Sequence, residues 1–342
     1  MTERVAGHTR AVPAVRAATG SEAVSTLSGF EVQWRNLYAA PNLTRKTLQS
    51  YDYLWARYIE GDLGSARLDE LTPLTLERWK ADLLAAGVGV ESVKRSLVLL
   101  QGVLQRAVEW QCLASNPARF VRKPPSGRRR AVRPVAPETI ERMRALLIAD
   151  ERTRDALLVC VLAYCGLRPG EALALTWGAV GARRVLVESC VSLGEIKGTK
   201  TGRIRSVQLI EPMADDFHRN RQARPAETDT DLIFPGRGGL PWSEDAWRNW
   251  RRRTFARVAG SVGLVGARPY DLRHSFVSLL IAEGRSVLDV ARQAGHSPTM
   301  TLNVYGHVFD DLDPVDRTNA AQRVNDARNL VSSAAGWKAP DA

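Results

Sequence analysis

At 342 residues, 44% of them hydrophobic and 25% charged, the chain is long enough for about two packed domains and has the balance of an ordinary globular protein. The net charge of +11 favours a polyanionic partner, nucleic acid or an anionic membrane surface. No apolar run approaches the roughly 20 residues needed to span a bilayer, and Met1 to Gly20 lacks the continuous apolar segment of a signal peptide, so the expectation is no membrane partner and a cytoplasmic, nucleoid-associated protein. The four cysteines, Cys112, Cys160, Cys165 and Cys190, form no C-x-x-C pair and have no histidine cluster beside them. That argues against zinc and against a disulfide framework, and leaves buried free thiols in a reducing compartment as the expectation.

Residues 1–27, rich in Ala, Thr, Ser and Gly without an apolar period, read as a disordered tail. Residues 28–120 carry a helical period throughout. Phe30, Trp34, Leu37 and Tyr38 recur at three- and four-residue steps, as do Leu48, Tyr51, Trp55, Tyr58 and Ile59. Thr72-Pro73 is a cap followed by proline at the first helical position, opening a helix through Leu76, Trp79, Leu83 and Leu84 that Gly87 and Gly89 end. A fourth helix carries Val93, Leu97, Leu100, Val103, Leu104 and Val108, and stops before Asn116-Pro117. Four such helices make a small all-α domain, with Trp34, Trp55, Trp79 and Trp110 as core residues in preference to base-stacking ones.

Residues 121–136 form a basic linker: Arg122, Lys123, Arg128, Arg129, Arg130 and Arg133 have no compensating acid, and prolines break any helix. A solvated hinge and a strap across phosphates are its two readings, and basic domains on both sides favour the strap. A second domain spans 137–314. A helix through Leu157, Leu158, Val161, Leu162 and Tyr164 runs into Gly166-Leu167-Arg168-Pro169-Gly170-Glu171, where a turn leaves Arg168 at a helix–helix corner. Two strand-like runs, Val185 to Val187 and Ile204 to Ile210, flank Lys197 to Arg203, whose small, turn-prone residues suit a hairpin tip. Ser243 to Ala259 reads as a helix with Trp247, Trp250 and Phe255 inside and Arg248, Arg251, Arg252, Arg253 and Arg257 outside, a solvated face or a phosphate-facing one. A helix after Tyr270 buries Leu272, Phe276, Leu279 and Leu280. Ser286 caps the next, Gly295 ends it, and Ser297-Pro298 caps another, so His296 sits in a tight turn. Residues 315–342 are an amphipathic helix and a polar tail.

Singly, none of these residues is diagnostic. A planar guanidinium matches two phosphate oxygens at once, an imidazole can donate to a third, and a phenol held in line can attack phosphorus once it is deprotonated. What carries specificity is the ordered set: Gly-Leu-Arg-x-x-Glu at Arg168 and Glu171, Thr-Lys-Thr-Gly around Lys200, x-x-Leu-Arg-His at Tyr270 to His274, Gly-His-Ser at His296, and Tyr305 nine residues beyond that histidine. In this set the chain resembles the tyrosine recombinases, the phage integrase family, from about Pro137 to Leu312.

The resemblance implies a mainly α protein: an all-α core-binding domain plus a mostly helical catalytic domain with a small antiparallel β-sheet, holding duplex DNA between them. It implies that Arg168 and Arg273 clamp the scissile phosphate and His296 hydrogen-bonds it. Lys200 would protonate the departing 5′ oxygen, Tyr305 would become a 3′-phosphotyrosine, and Glu171 would hold the arginines. No metal and no nucleotide cofactor are implied, because the covalent link keeps the energy of the broken bond. Double-stranded DNA is the implied partner, with four protomers in a synaptic complex (monomer free in solution), a directionality factor as an accessory, and a C-terminal helix that docks on a neighbour or packs at home. Arg122, Lys123, Arg128, Arg129, Arg130, Arg251 and Arg252 are the expected DNA contacts. At Tyr270 the family usually has histidine; a phenol is a poor base near neutral pH, so Tyr270 is expected to orient and not to abstract a proton. His274, next to Arg273, is expected to face elsewhere and to be a hydrogen-bonded packing residue in preference to a catalytic one. A type IB topoisomerase-like nicking and resealing enzyme and a non-catalytic DNA-binding regulator are the alternatives on the same scaffold.

Overall fold

The computed structural model describes residues 26–125, 134–199, 202, 204–310 and 319–333. The chain divides into two compact units, 1–129 and 130–342.

In the first unit the expected four helices form. Thr26 caps α1 (Leu27–Trp34), which runs through a π turn at Arg35–Ala39 into Ala40–Asn42. Thr44 caps α2 (Arg45–Leu54), which continues through a second π turn at Trp55–Ile59 to Glu60–Leu63. Thr72 accepts from the Thr75 amide at the start of α3 (Pro73–Ala85), and Gly87, with φ of 78°, turns the chain away toward α4 (Val90–Glu109). The buried stripe of α4, Val93, Leu97, Leu100, Leu104 and Ala107, is one helical face, and it packs with Phe30, Trp34, Trp55 and Trp79 into one core. Trp110 is half-buried, its ring meeting Phe30 edge-on at 5.6 Å.

The second unit is built around a helix that is apolar on every side. Between α5 (Pro137–Ala149) and the rest lies α6 (Thr153–Tyr164), in which every residue from Ala156 to Tyr164 is buried. A short helix, α7 (Pro169–Leu173), follows. Strands β1 (Arg184–Val187), β2 (Ser189–Ser192), β3 (Glu195–Gly198) and β4 (Arg205–Gln208) make two antiparallel pairs, β1 with β4 and β2 with β3. The outer pair is the one expected from sequence. The expected tip is corrected: Lys197 and Gly198 lie within β3, and the reversal falls at Leu193 and Gly194, both at positive φ. Then come α8 (Glu211–Gln222) and α9 (Glu244–Trp250), which continues through a π turn at Arg251–Phe255 into Ala256–Ser261. The unit ends with α10 (Pro269–Ala282), α11 (Val287–Ala294), α12 (Pro298–Asp310) and α13 (Ala320–Ser333). Among the described residues no helix is long and apolar enough to cross a membrane.

One further expectation changes, and the C-terminal helix follows one of its two expected readings. Only Cys160 and Cys165 are buried; Cys112 is exposed and Cys190 intermediate, and all four are thiols, not disulfides. The C-terminal helix packs on its own unit: Ala320, Val324 and Ala327 are buried, and Arg328 reaches Glu141 on α5 and Asp216 on α8. An apolar stripe with a cation at that position finds complementary partners at home.

Candidate active site

The site is assembled from five places in the second unit. Arg168 occupies the position before α7, and its backbone N–H donates to the Glu171 carboxylate at 2.8 Å. Its guanidinium donates to the same carboxylate at 2.8 Å and to the Gly295 carbonyl at 2.6 Å, while its side chain stays 37% exposed. Arg273 lies one turn into α10, inside the buried stripe of Leu272, Phe276, Val277 and Leu280, and is 0% exposed. It donates to the carbonyls of Gly166 and Ala294 and to His296 Nε2 at 2.8 Å. Those carbonyls come within reach because of backbone geometry. Gly166 has φ of 60°, and a Cβ there would stand 2.1 Å from the Phe276 ring. Gly295 has φ of 64° and ends α11 in the left-handed conformation, which turns the chain so that His296 follows it into the cluster.

Glu171, 4% exposed, gathers the cations. Besides Arg168 it binds Arg205 through both oxygens, at 2.9 and 2.6 Å, and lies 4.0 Å from Arg273. Burial pushes its carboxyl up, but hydrogen bonds and charge from Arg205, then Arg168, prevail and hold it at about 2. Three guanidiniums against one carboxylate leave a surplus of positive charge, the electrostatics of an anion site. Burial and the nearby Arg168 charge push Arg273 down to about 10, so it remains charged at neutral pH. Burial, Arg273 and Arg168 push His296 down to about 3, so its ring is neutral. With Nε2 accepting from Arg273, the ring proton belongs on Nδ1. Among the described residues, neither Nδ1 of His296 nor Nε of Arg273 has a hydrogen-bond partner.

Tyr305, on α12, is 1% exposed. Its ring lies nearly parallel to that of His296, centroids 6.4 Å apart, so the phenol stands beside the arginine–histidine pair. Burial raises its pKa against the lowering influence of Arg273. Its hydroxyl meets His274 Nδ1 at 2.5 Å. The hydrogen bond expected of His274 is thus made to Tyr305: successive helix positions diverge by about 100°, and the direction that is not Arg273's leads to α12. Tyr270 meets the His274 ring edge-on at 5.9 Å and, among the described residues, makes no hydrogen bond to Tyr305.

Arg168, Glu171, Arg273, His296 and Tyr305 thus come together, with Tyr270 at the margin. Lys200, Arg128, Arg129 and Arg130 lie outside the described residues. Arg122 and Lys123 are exposed, as are Arg251 and Arg252 on the π turn of α9. Sequence reasoning missed Arg205. Its signal was the alternation of β4: Arg205 shares the inward row of Val207 and Leu209, and an arginine in a buried row requires a carboxylate.

The phage integrase family profile matches residues 136–311. The ICEBs1 integrase of Bacillus subtilis (strain 168) is 26% identical over 281 residues, covering 76% of this chain and 73% of that protein. Among solved structures, the Tn1549 transposon integrase in complex with a circular intermediate DNA aligns with a TM-score of 0.69 at 19% identity, over 82% of this chain and 95% of that one. A lambda integrase tetramer bound to a Holliday junction aligns with a TM-score of 0.64 at 18% identity, over 81% and 77%. At these identities the likeness to the two structures is one of fold.

Proposed function

This chain belongs to the phage integrase family, the tyrosine recombinases, and from that premise we propose how its own residues cleave and rejoin DNA. It is a site-specific DNA recombinase. Tyr305 is the nucleophile: its Oη attacks the phosphorus of one phosphodiester, the P–O5′ bond breaks, and a 3′-phosphotyrosine forms as the 5′ oxygen leaves with a proton from Lys200. Attack by a 5′ hydroxyl on that link reverses the step and rejoins strands.

Arg168, Arg273 and His296 hold the phosphate. The surplus charge around Glu171 offsets the extra negative charge of the pentacoordinate transition state, and Glu171 keeps the guanidiniums in place before DNA arrives. His296 donates from Nδ1, its neutral state following from the guanidiniums beside it. The observation that carries this reading is convergence of separate elements of one unit: Arg168 and Arg273 lie at one buried carboxylate, Arg273 holds His296, and the Tyr305 ring lies beside His296. Duplex DNA is the substrate, with exposed Arg122, Lys123, Arg251 and Arg252, together with Arg128, Arg129 and Arg130, on its phosphates. Four copies acting on two sites is the assembly we favour, each bringing its own Tyr305 to its own arginines.

The test is covalent capture on a nicked suicide duplex. Tyr305→Phe is expected to bind the duplex as wild type does and to form no adduct. An adduct that survives the substitution would place the nucleophile elsewhere.

A further inference from the structure

Resting on Tyr305 as nucleophile, we propose that His274 is the general base that removes its proton. The contact is direct: His274 Nδ1 and Tyr305 Oη are 2.5 Å apart, and a phenol donating to Nδ1 requires that nitrogen to be unprotonated. The ring is half-buried and faces no other hydrogen-bond partner among the described residues.

The other two candidates fit the task poorly. Tyr270 stands where the family usually has histidine, yet it is itself a phenol, and a phenol is a poor general base for another phenol's proton near neutrality. It touches the His274 ring by its edge and makes no hydrogen bond to Tyr305. His296 presents its ring face to Tyr305 and spends Nε2 on Arg273, and the guanidiniums around it oppose a second proton. His274 is surrounded differently. On and before its own helix it faces Asp271, Tyr270, Arg273 and Arg268; from α12 it faces Tyr305, and from the turn before α12, His296. Asp271 favours the protonated imidazole, against burial and the two arginines, so the ring is neutral at rest and has a carboxylate nearby once it accepts a proton.

The step balances without a co-reactant. The Oη proton passes to His274 Nδ1, and the freed electron pair forms the O–P bond. The P–O5′ pair leaves on the 5′ oxygen, which is protonated by Lys200. On rejoining, the 5′ hydroxyl returns its proton to Lys200 and the imidazolium returns its own to the departing phenolate.

The experiment measures adduct formation by the full chain on a nicked duplex, and on the same duplex with sulfur in place of the bridging 5′ oxygen. Asparagine in His274→Asn offers Oδ1 to the phenol's hydrogen bond but cannot take its proton. The rate is expected to fall by on the order of 10²–10⁴-fold, and to stay low on the sulfur substrate, whose leaving group needs no proton. A rate within about threefold of wild type, a gain over it, or rescue by sulfur overturns the proposal. Should the variant fail to fold, the wild-type pH profile decides. The rate is expected to hold from neutrality downward and to fall only as His274 takes a proton, below 6.5 because burial lowers its pKa. A rate rising log-linearly from acid through neutrality would instead overturn the base. Tyr305→Phe separates the two claims: an adduct surviving there sinks the nucleophile and the base with it, while an adduct lost there and undiminished in His274→Asn sinks the base alone.

Discussion

Two buried arginine–carboxylate networks lie in the second unit, and they are balanced differently. In one, Asp216 accepts from Arg144 at 2.7 Å, Arg328 at 2.7 Å and the largely exposed Arg219 at 2.6 Å, while Glu141 lies 3.1 Å from Arg328. Two carboxylates face two buried guanidiniums, and the result is a brace that ties α13 to α5 and α8. In the other, Glu171 alone faces Arg168, Arg205 and Arg273, and donors on Arg273 and His296 are left over. The same side chains therefore make a strut where charges cancel and an anion site where they do not.

The comparison can be broken most forcefully at Arg273. Arg273→Ala is expected to lower the rate of adduct formation on the order of 10²–10³-fold, as losing one aligned donor to a developing charge does. If Arg144→Ala in the brace cost the folded enzyme as much activity, the distinction would collapse. Asp216→Asn is expected to act in the opposite sense. It removes one of the two carboxylates that Arg144 and Arg328 share and should lower the unfolding free energy by about 3 kcal/mol in urea titration. Adduct formation by the protein that remains folded should persist.

Acid sharpens the contrast further. Glu171 is depressed to about 2, so its stabilising contribution is complete above its ordinary value of 4.5 and is lost as pH falls through about 2. Glu141 is raised, first by burial, so it takes up its proton above 4.5, and protonation relieves a penalty instead of removing support. Carboxyl carbon-13 titration should show Glu141 protonating before Glu171; the reverse order would mean that Arg205 does not hold Glu171. The smallest effect is on the surface. Arg251 and Arg252 are exposed without an ion pair among the described residues, whereas Arg248 is paired with Asp245 at 2.7 Å. Removing each of the first two should flatten the salt dependence of DNA binding by up to about 0.9 log unit per lost phosphate contact. Arg248→Ala should do less.

Much of the fold was legible because it is local. Thr72, Ser286 and Ser297 announce helices by side chains that bind the first free amides, and all three do so. Apolar residues at helical spacing located the stripe of α4, and the continuous run in α6 marked a helix buried on all sides. The inner hairpin was harder to read, because Ser189 to Gly198 is short and nowhere fully buried, and so carries no alternation. For His274 the partner was not legible, because adjacency to Arg273 says only that the two side chains diverge, not what each one meets.

Within the candidate site, an ordered set of motifs and the family it resembles pointed to Arg168, Glu171, Arg273, His296 and Tyr305. Their coming together was decided only in three dimensions, as were the third guanidinium from Arg205, the histidine beside Tyr305 and the packing of α13 on its own unit. Periodicity and capping report interactions over a few residues. A charge balance is set by groups that the chain brings together from a hundred residues apart, and burial then determines how strongly they act on one another.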